Sequence, residues 1–104
     1  MDQSALLESI VTTITSYRDA RKIVLFGSRA RGDHTPVSDI DIAVVDTDWT
    51  REDVALAHDR VEEEVPTALK IDVVGYHLVS RDALRRRIDE EGRVIYERPN
   101  PKRP

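Results

Sequence analysis

The chain has 104 residues, of which 39% are hydrophobic and 35% charged, and its net charge is −4. This size predicts one domain with a modest core, and the composition is typical of a globular rather than a disordered protein. The acidic balance argues against tight, sequence-independent nucleic-acid binding, so we expect no nucleic-acid partner. Because cysteine is absent, the sequence excludes disulfides, thiolate nucleophiles and cysteine zinc sites.

The N-terminal segment has neither the basic start nor the continuous apolar run of a secretion signal. No stretch approaches the roughly 20 apolar residues of a membrane helix. We therefore expect a cytoplasmic protein with no membrane partner. The chain length also leaves no room for a separate substrate-binding domain, so a large acceptor would be held in a homo- or hetero-oligomer.

Hydrophobic spacing predicts the elements of the first half of the chain. Apolar residues three and four apart predict a helix over residues 4–17. A short apolar run predicts a buried strand over Lys22–Phe26, stopped by Gly27. Residues 38–45 alternate at first and are then apolar throughout, which indicates a strand whose far end is buried on both faces.

In the second half, Thr50 and Asp53 form a predicted capping pair for an amphipathic helix that Pro66 ends. A third strand is predicted over residues 69–74. We expect Ser80 to cap a last helix, which Gly92 stops.

Residues 94–96 form a predicted last strand, and the proline-rich tail at 98–104 is expected to be disordered. Residues 1–97 would then make up the domain. The order helix, strand, strand, helix, strand, helix, strand predicts an α/β (α+β) sheet with helices packed on it, and leaves the strand directions open.

The first strand runs into a turn that favours phosphate. Gly27 lets the backbone approach a ligand, Ser28 offers a hydroxyl and an N–H group, and a helix start points free N–H groups outward. Arg29 or Arg31 could add a charged contact to a polyphosphate. Taken alone, however, the segment is better interpreted as an ordinary Gly-Ser turn with surface arginines.

Asp39 and Asp41 lie two residues apart in a predicted strand, so both carboxylates should point to one face, while Ile40 and Ile42 point to the other. At about 5 Å and an effective dielectric of about 20, two such carboxylates repel by roughly 3 kcal/mol. Without a cation, the arrangement costs stability.

Asp72 interrupts the apolar run of the third predicted strand. A single aspartate in this setting is commonly a strand-edge residue or one half of an ion pair. Three aspartates that converge from two strands beside a phosphate-binding turn are better explained by Mg²⁺, which takes carboxylate and phosphate oxygens.

At this point the sequence resembles the DNA polymerase beta-like nucleotidyltransferase superfamily. Gly27-Ser28, then ten residues, then Asp39-Ile40-Asp41 match its motif, and Asp72 is the third acidic residue. The segments GSRARGD and SDIDIAVV are similar to the minimal nucleotidyltransferases of bacteria and archaea. The resemblance covers nearly the whole chain and implies a small mixed sheet with helices packed on it.

The resemblance also implies roles for these residues. Asp39 and Asp41 would hold two Mg²⁺ ions, and Asp72 would hold the catalytic ion near the acceptor hydroxyl. Gly27 and Ser28 would bind the triphosphate of a nucleoside triphosphate, for which ATP is expected. Two ions about 3.5–4 Å apart suit an in-line displacement of pyrophosphate.

Minimal members of this family often pair with a small all-helical protein, in many cases a HEPN-domain toxin, and some act as antitoxins by adenylylating it. The resemblance therefore implies a toxin–antitoxin role, with the partner encoded nearby. Two alternatives stay open: nucleotidyl transfer to a small molecule, and a binding protein without turnover. The acidic triad speaks against the second, since an idle site has no reason to keep three repelling carboxylates.

Other residues fit simpler interpretations. His34, His58 and His77 are scattered without metal-ligand spacing, so we expect surface or partly buried histidines rather than catalysts. The arginines at 85–87 are expected to form a solvated helix face. Trp49 is expected to pack into the protein rather than to stack on a nucleotide base.

Overall fold

The computed structural model describes residues 2–99. Its elements, in chain order, are α1 (Gln3–Tyr17), β1 (Lys22–Phe26), α2 (Ser28–Arg31), β2 (Ile40–Val45), α3 (Arg51–Glu64), β3 (Ile71–Gly75), a 3-10 turn (Tyr76–Leu78), α4 (Asp82–Glu91) and β4 (Arg93–Glu97). The helices and strands expected from the sequence are all present. None of the helices described is both long and apolar enough to cross a membrane.

The four strands form one mixed sheet in the order β3-β2-β1-β4. Strand β1 is antiparallel to both β2 and β4, whereas β2 and β3 run parallel. In this register Asp41 lies opposite Phe26 on one side and beside Asp72 on the other. The mixed sheet confirms the predicted fold class and joins the two aspartate-bearing strands directly.

Alternation along the strands divides the core between the two faces of the sheet. One face carries Ile40 and Ile42 and packs against helices α1 and α3. The other face is smaller, and there Phe26 and Ala43 pack against Ile88 of α4. Asp41 and Asp72 alternate with the buried isoleucines, so they belong to the face that α4 covers.

The predicted role of Trp49 is confirmed. Its side chain is only 3% exposed, and the indole N–H donates to the carbonyl of Asp19 at 3.0 Å. The ring also meets Tyr17 edge-on, with centroids 5.8 Å apart. Trp49 therefore joins the loop after β2 to the end of α1.

The predicted cap of α3 is confirmed, whereas the predicted cap of α4 is wrong. Thr50 and Asp53 form a reciprocal capping box at the start of α3. Helix α4 instead begins at Asp82 behind Arg81, which gives no side-chain cap. The backbone stays extended through Arg81, so the hydroxyl of Ser80 lies one residue too early to occupy the capping position.

Residues 100–104 of the predicted tail lie outside the described residues. Arg98, the first residue of that tail, still donates its N–H to the carbonyl of Arg21 at 2.9 Å. The backbone contact between the β4 side of the sheet and β1 therefore extends one residue past β4.

Asp53→Asn should lower the free energy of unfolding by about 1–2 kcal/mol at neutral pH, because a charged acceptor is lost. Hydrogen bonds from Thr50 and Tyr17 lower the pKa of Asp53 from 3.8 to about 2. Its contribution to stability is therefore present above the ordinary pKa and is lost as the pH falls through the folded value. Denaturant titrations should show the difference between wild type and variant closing from about pH 4 to about pH 2.

Glu52→Gln is the matched control, because Glu52 lies in the same first turn of α3 but is exposed. It should leave stability nearly unchanged. A wild-type advantage that persists below pH 2 would show that the charge of Asp53 is not its source.

Candidate active site

The three predicted aspartates lie at one end of the sheet. Asp41 and Asp72 are register partners on β2 and β3. Neighbouring strands are about 4.8 Å apart, so these two side chains are adjacent on the same face. Asp39 directly precedes β2 and is exposed. The structure therefore pairs Asp41 with Asp72, whereas Asp39 lies just before β2, and among residues 2–99 the ligand atoms of the three aspartates do not all lie within 4.8 Å of one another.

Electrostatics around Asp41 favour a bound cation. Burial raises the pKa of Asp41, and the charges of Asp72 and Asp39 raise it further, whereas those of Arg87 and Lys70 oppose the shift. A divalent cation would offset both the burial and the repulsion. This set of carboxylate donors therefore fits Mg²⁺, an ion that prefers oxygen ligands.

Gly27 is in direct contact with the aspartate site. Its φ angle is +77°, a conformation that residues with a side chain rarely adopt. A Cβ atom at this position would collide with the carboxylate of Asp41. Only glycine therefore lets β1 turn into α2 while Asp41 keeps its place.

Arg29 has a different role from the predicted contact with a polyphosphate. It is 6% exposed. Its guanidinium donates to the side chain of Gln3 at 3.0 Å and to three backbone carbonyls between residues 35 and 38. These acceptors occupy its donors, so the direct phosphate contact disagrees with the geometry. Arg29 instead holds the loop that leads to Asp39.

Arg31 is more accessible, and its phosphate contact stays a prediction. Its guanidinium pairs with Asp33 at 3.2 Å and with Glu91 of α4 at 2.9 Å. The second contact joins the helical turn that follows Gly27 to the last turn of α4. Nothing in the sequence pattern indicated this link.

A cavity of about 400 Å³ opens beside the aspartates. Asp41 and Asp72 line it, together with apolar side chains of the sheet and α4. His58 and Arg87 line it as well. The sequence predicts a surface or partly buried histidine at position 58 and a solvated helix face at Arg87, and both side chains are partly exposed. Their place beside the cavity could not be predicted, because neither a lone histidine nor an arginine run carries a pattern that marks one.

His58 also belongs to a cluster on the surface of α3. Its possible metal-ligand atoms lie within 4.8 Å of one another and come from His58, Asp59 and Glu62. This is the one such group of three among residues 2–99. The Nδ1 atom of His58 is 3.9 Å from Asp59 and 3.8 Å from Glu62, too far for hydrogen bonds. Exposed acidic groups are common without a bound ion, so the partly buried pair Asp41 and Asp72 remains the better candidate for metal binding.

Known proteins are similar to this chain both in sequence and in fold. Residues 8–101 match the family described as Polymerase beta, Nucleotidyltransferase. A protein of Methanocaldococcus jannaschii, whose name proposes protein adenylyltransferase activity, is 34% identical over 108 residues, covering 91% of this chain and 98% of the relative.

Two solved structures share the fold. A crystal structure of a toxin-antitoxin with AMP-PNP has a TM-score of 0.73 at 21% identity, covering 88% of this chain and 73% of the other. A mutant of the toxin-antitoxin MntA-HpeT has a TM-score of 0.72 at 19% identity, with the same coverage of both chains.

The mixed sheet agrees with the class of proteins that the comparisons identify, the nucleotidyltransferases. The family match spans nearly the whole chain. The protein therefore belongs to the polymerase beta nucleotidyltransferase family, as the sequence motifs indicated.

Asp41→Asn should raise the melting temperature of the metal-free protein by about 4–8 °C, which corresponds to about 1 kcal/mol. Burial and neighbouring carboxylates raise the pKa of Asp41, so its ionised form destabilises the fold. The gain should be absent below the ordinary pKa of 3.8 and should develop as the pH rises through the folded value. Thermal melts in a chelator across this pH range measure the effect.

Mg²⁺ with ATP should stabilise the wild type, and Asp41→Asn should lose most of that stabilisation. Asp59→Asn removes an exposed aspartate and serves as the control, which should behave as wild type in both experiments. A metal-free Asp41→Asn protein that melts well below wild type would assign Asp41 a structural role.

Gly27→Ala should cost at least about 1–2 kcal/mol of stability from backbone strain and should also displace the carboxylate of Asp41. Gly32→Ala is a matched control: Gly32 has a φ angle of +90°, yet a Cβ atom there would meet no atom of residues 2–99 within 4 Å. Both variants should lose stability in denaturant titrations. Only Gly27→Ala should lose the stabilisation that Mg²⁺ and ATP provide. If Gly32→Ala loses as much of this stabilisation, Gly27 has no specific role in the site.

Proposed function

We propose that the protein transfers AMP from ATP to a hydroxyl group of a partner protein, with two Mg²⁺ ions held by Asp39, Asp41 and Asp72. The observation that carries the proposal is the pairing of Asp41 with Asp72 on adjacent strands, with Gly27 against the carboxylate of Asp41. This arrangement joins the metal donors to the predicted triphosphate turn.

When bound, the metal ions would supply positive charge for the attacking oxygen and the leaving pyrophosphate. Asp39 and Asp41 would hold both ions, and Gly27 and Ser28 would lie against the triphosphate. In the reaction, the acceptor oxygen bonds to the α-phosphorus, and the bond from that phosphorus to pyrophosphate breaks. Asp72 would hold the ion nearest the acceptor and take the hydroxyl proton.

The exposure of Asp72 favours a large acceptor. Its side chain is 40% exposed, and β3 is an edge strand of the sheet. A hydroxyl on another protein can therefore approach Asp72 from outside the sheet. A docked protein would also exclude water from the reacting groups. Without such a partner, the aspartate end of the sheet is open to solvent.

The names of similar proteins support the choice of acceptor and partner. The relative from Methanocaldococcus jannaschii is named for protein adenylyltransferase activity, and both solved neighbours are toxin-antitoxin structures, one of them with AMP-PNP. We therefore assign the protein the antitoxin role in a pair with a small helical HEPN-type toxin encoded nearby. A tyrosine hydroxyl of that toxin is the acceptor we expect.

Incubation of the protein with its genomic neighbour, ATP and Mg²⁺ should add an adenylyl group to the neighbour, because the aspartates activate its hydroxyl. Intact-mass spectrometry detects the addition, and fragmentation assigns the modified residue. Asp39→Asn and Asp72→Asn should abolish the added mass, whereas the exposed-surface control Asp59→Asn should retain it.

Parallel reactions with the other nucleoside triphosphates establish the base preference. If both aspartate variants neutralise the partner as well as wild type does, and no protein gains mass, the proposed transfer is wrong and the protein neutralises by binding alone. Modification of an added small alcohol but not of the protein partner would instead indicate a small-molecule acceptor.

A further inference from the structure

We infer that Arg87 is an exchangeable counter-charge of the active site, which partly offsets the charge of Asp41 across the cavity before metal binding and then pairs with the triphosphate of the incoming metal-bound nucleotide. The inference rests on the proposed function and adds a nucleotide-binding residue to it. None of the sequence motifs includes Arg87.

The position of Arg87 supports the first half of this role. Arg87 projects from α4 and lines the cavity that also contains Asp41 and Asp72. Its guanidinium carbon lies 5.9 Å from the centre of the Phe26 ring, and Phe26 is the register partner of Asp41. Consistent with this proximity, the charge of Arg87 opposes the upward shift in the pKa of Asp41.

The contacts of Arg87 leave it able to change partners. Its one ion pair among residues 2–99 joins Nε to Oε1 of Glu91 at 3.8 Å, which is too long for a hydrogen bond. The same oxygen accepts from Arg31 at 2.9 Å, so Glu91 is already engaged. The side chain of Arg87 is half exposed. In contrast to buried Arg29, this guanidinium is not held by a set of backbone carbonyls in the part of the chain that the structure describes.

The location of Arg31 indicates where the nucleotide phosphates would meet Arg87. Arg31 belongs to α2, which begins at Ser28 in the predicted triphosphate turn. Through Glu91, Arg31 is connected to the wall of the cavity that carries Arg87. The phosphate turn and Arg87 therefore both adjoin Asp41, and we expect a triphosphate bound at the turn to meet the guanidinium.

Electrostatics then predict two effects of opposite sign. A positive charge near Asp41 opposes the binding of a divalent ion alone, because like charges repel. Once the ion is bound, the carboxylates no longer need Arg87, and the anionic triphosphate attracts it. Removal of Arg87 should therefore strengthen metal binding in the absence of nucleotide and weaken nucleotide binding in the presence of metal.

Calorimetric titrations of Arg87→Ala test this pair of effects. Mn²⁺ alone should bind to Arg87→Ala at least about threefold more tightly than to wild type, since the competing charge is gone. The α,β-methylene analogue of ATP, titrated in saturating Mg²⁺, should bind about tenfold or more weakly, because a charged hydrogen bond is lost. Neither readout depends on turnover or on a partner protein.

Arg86→Ala is the matched control, because it removes the same charge from an exposed neighbouring position that does not line the cavity. Both of its affinities should stay within about twofold of wild type, since exposed charges are strongly screened. Arg87→Lys keeps the charge but not the planar fork. It should bind Mn²⁺ as wild type does and should recover only part of the affinity for the analogue.

A loss of both affinities in Arg87→Ala, or no change in either, would overturn the role of Arg87. Equal effects in Arg86→Ala would also overturn it, because they would reflect the overall charge of α4. If wild type binds neither Mn²⁺ nor the analogue in Mg²⁺, the proposed function itself fails. Weaker binding of the analogue together with tighter binding of Mn²⁺ in Arg87→Ala supports the inference.

Discussion

The charge of Asp41 is the constraint on which the rest of the site depends. A carboxylate inside a sheet loses hydration, and its neighbour across the register is a second carboxylate, Asp72. The fold accommodates this charge instead of neutralising it with a fixed partner. Gly27 gives it space, the edge strand keeps Asp72 accessible, and α4 places Arg87 within electrostatic range. A site that is unfavourable when empty is well prepared to bind a strong cation.

The topology explains how so short a chain brings these groups together. Antiparallel pairing sets the end of β1 beside the start of β2, which puts the glycine turn against Asp41. Parallel pairing of β2 with β3 then sets Asp72 at the same end, because parallel strands begin on the same side. Helix α3 makes the crossover between them and packs on the opposite face. The aspartate face is left to the shorter helix α4 and the cavity beside it.

Local patterns in the sequence were sufficient to predict the elements and the strand face of Asp41 and Asp72, whereas the metal-binding role of the three aspartates stays a prediction. Capping of α3 depends on Thr50 and Asp53, which are three residues apart, and the shared face of a strand depends only on alternation. The motif that joins Gly27 to Asp41 is likewise compact in sequence. These features could be inferred because the interactions that produce them act over one or two turns of the chain, or along one strand.

Contacts between distant segments could not be inferred in this way. Arg29 and Gln3 are 26 residues apart, and Arg31 and Glu91 are 60 residues apart. No spacing rule separates a buried arginine from a solvated one, so the burial of Arg29 could not be inferred. Arg87 is exposed as expected, but its place beside the cavity could not be inferred either. Ser80 was misassigned for a related reason: the turn that follows β3 decides where α4 begins, and its path is not encoded by a cap residue alone.

The buried guanidinium of Arg29 has a practical consequence for work with the protein. It connects the first turn of α1, through Gln3, to the loop that delivers Asp39, and the same turn is capped by Asp2, which accepts from the N–H of Ala5 at 2.8 Å. Unravelling of that turn would release one support of a metal-binding loop. An affinity tag fused to the N-terminus should therefore be cleaved off before metal affinities are compared between preparations.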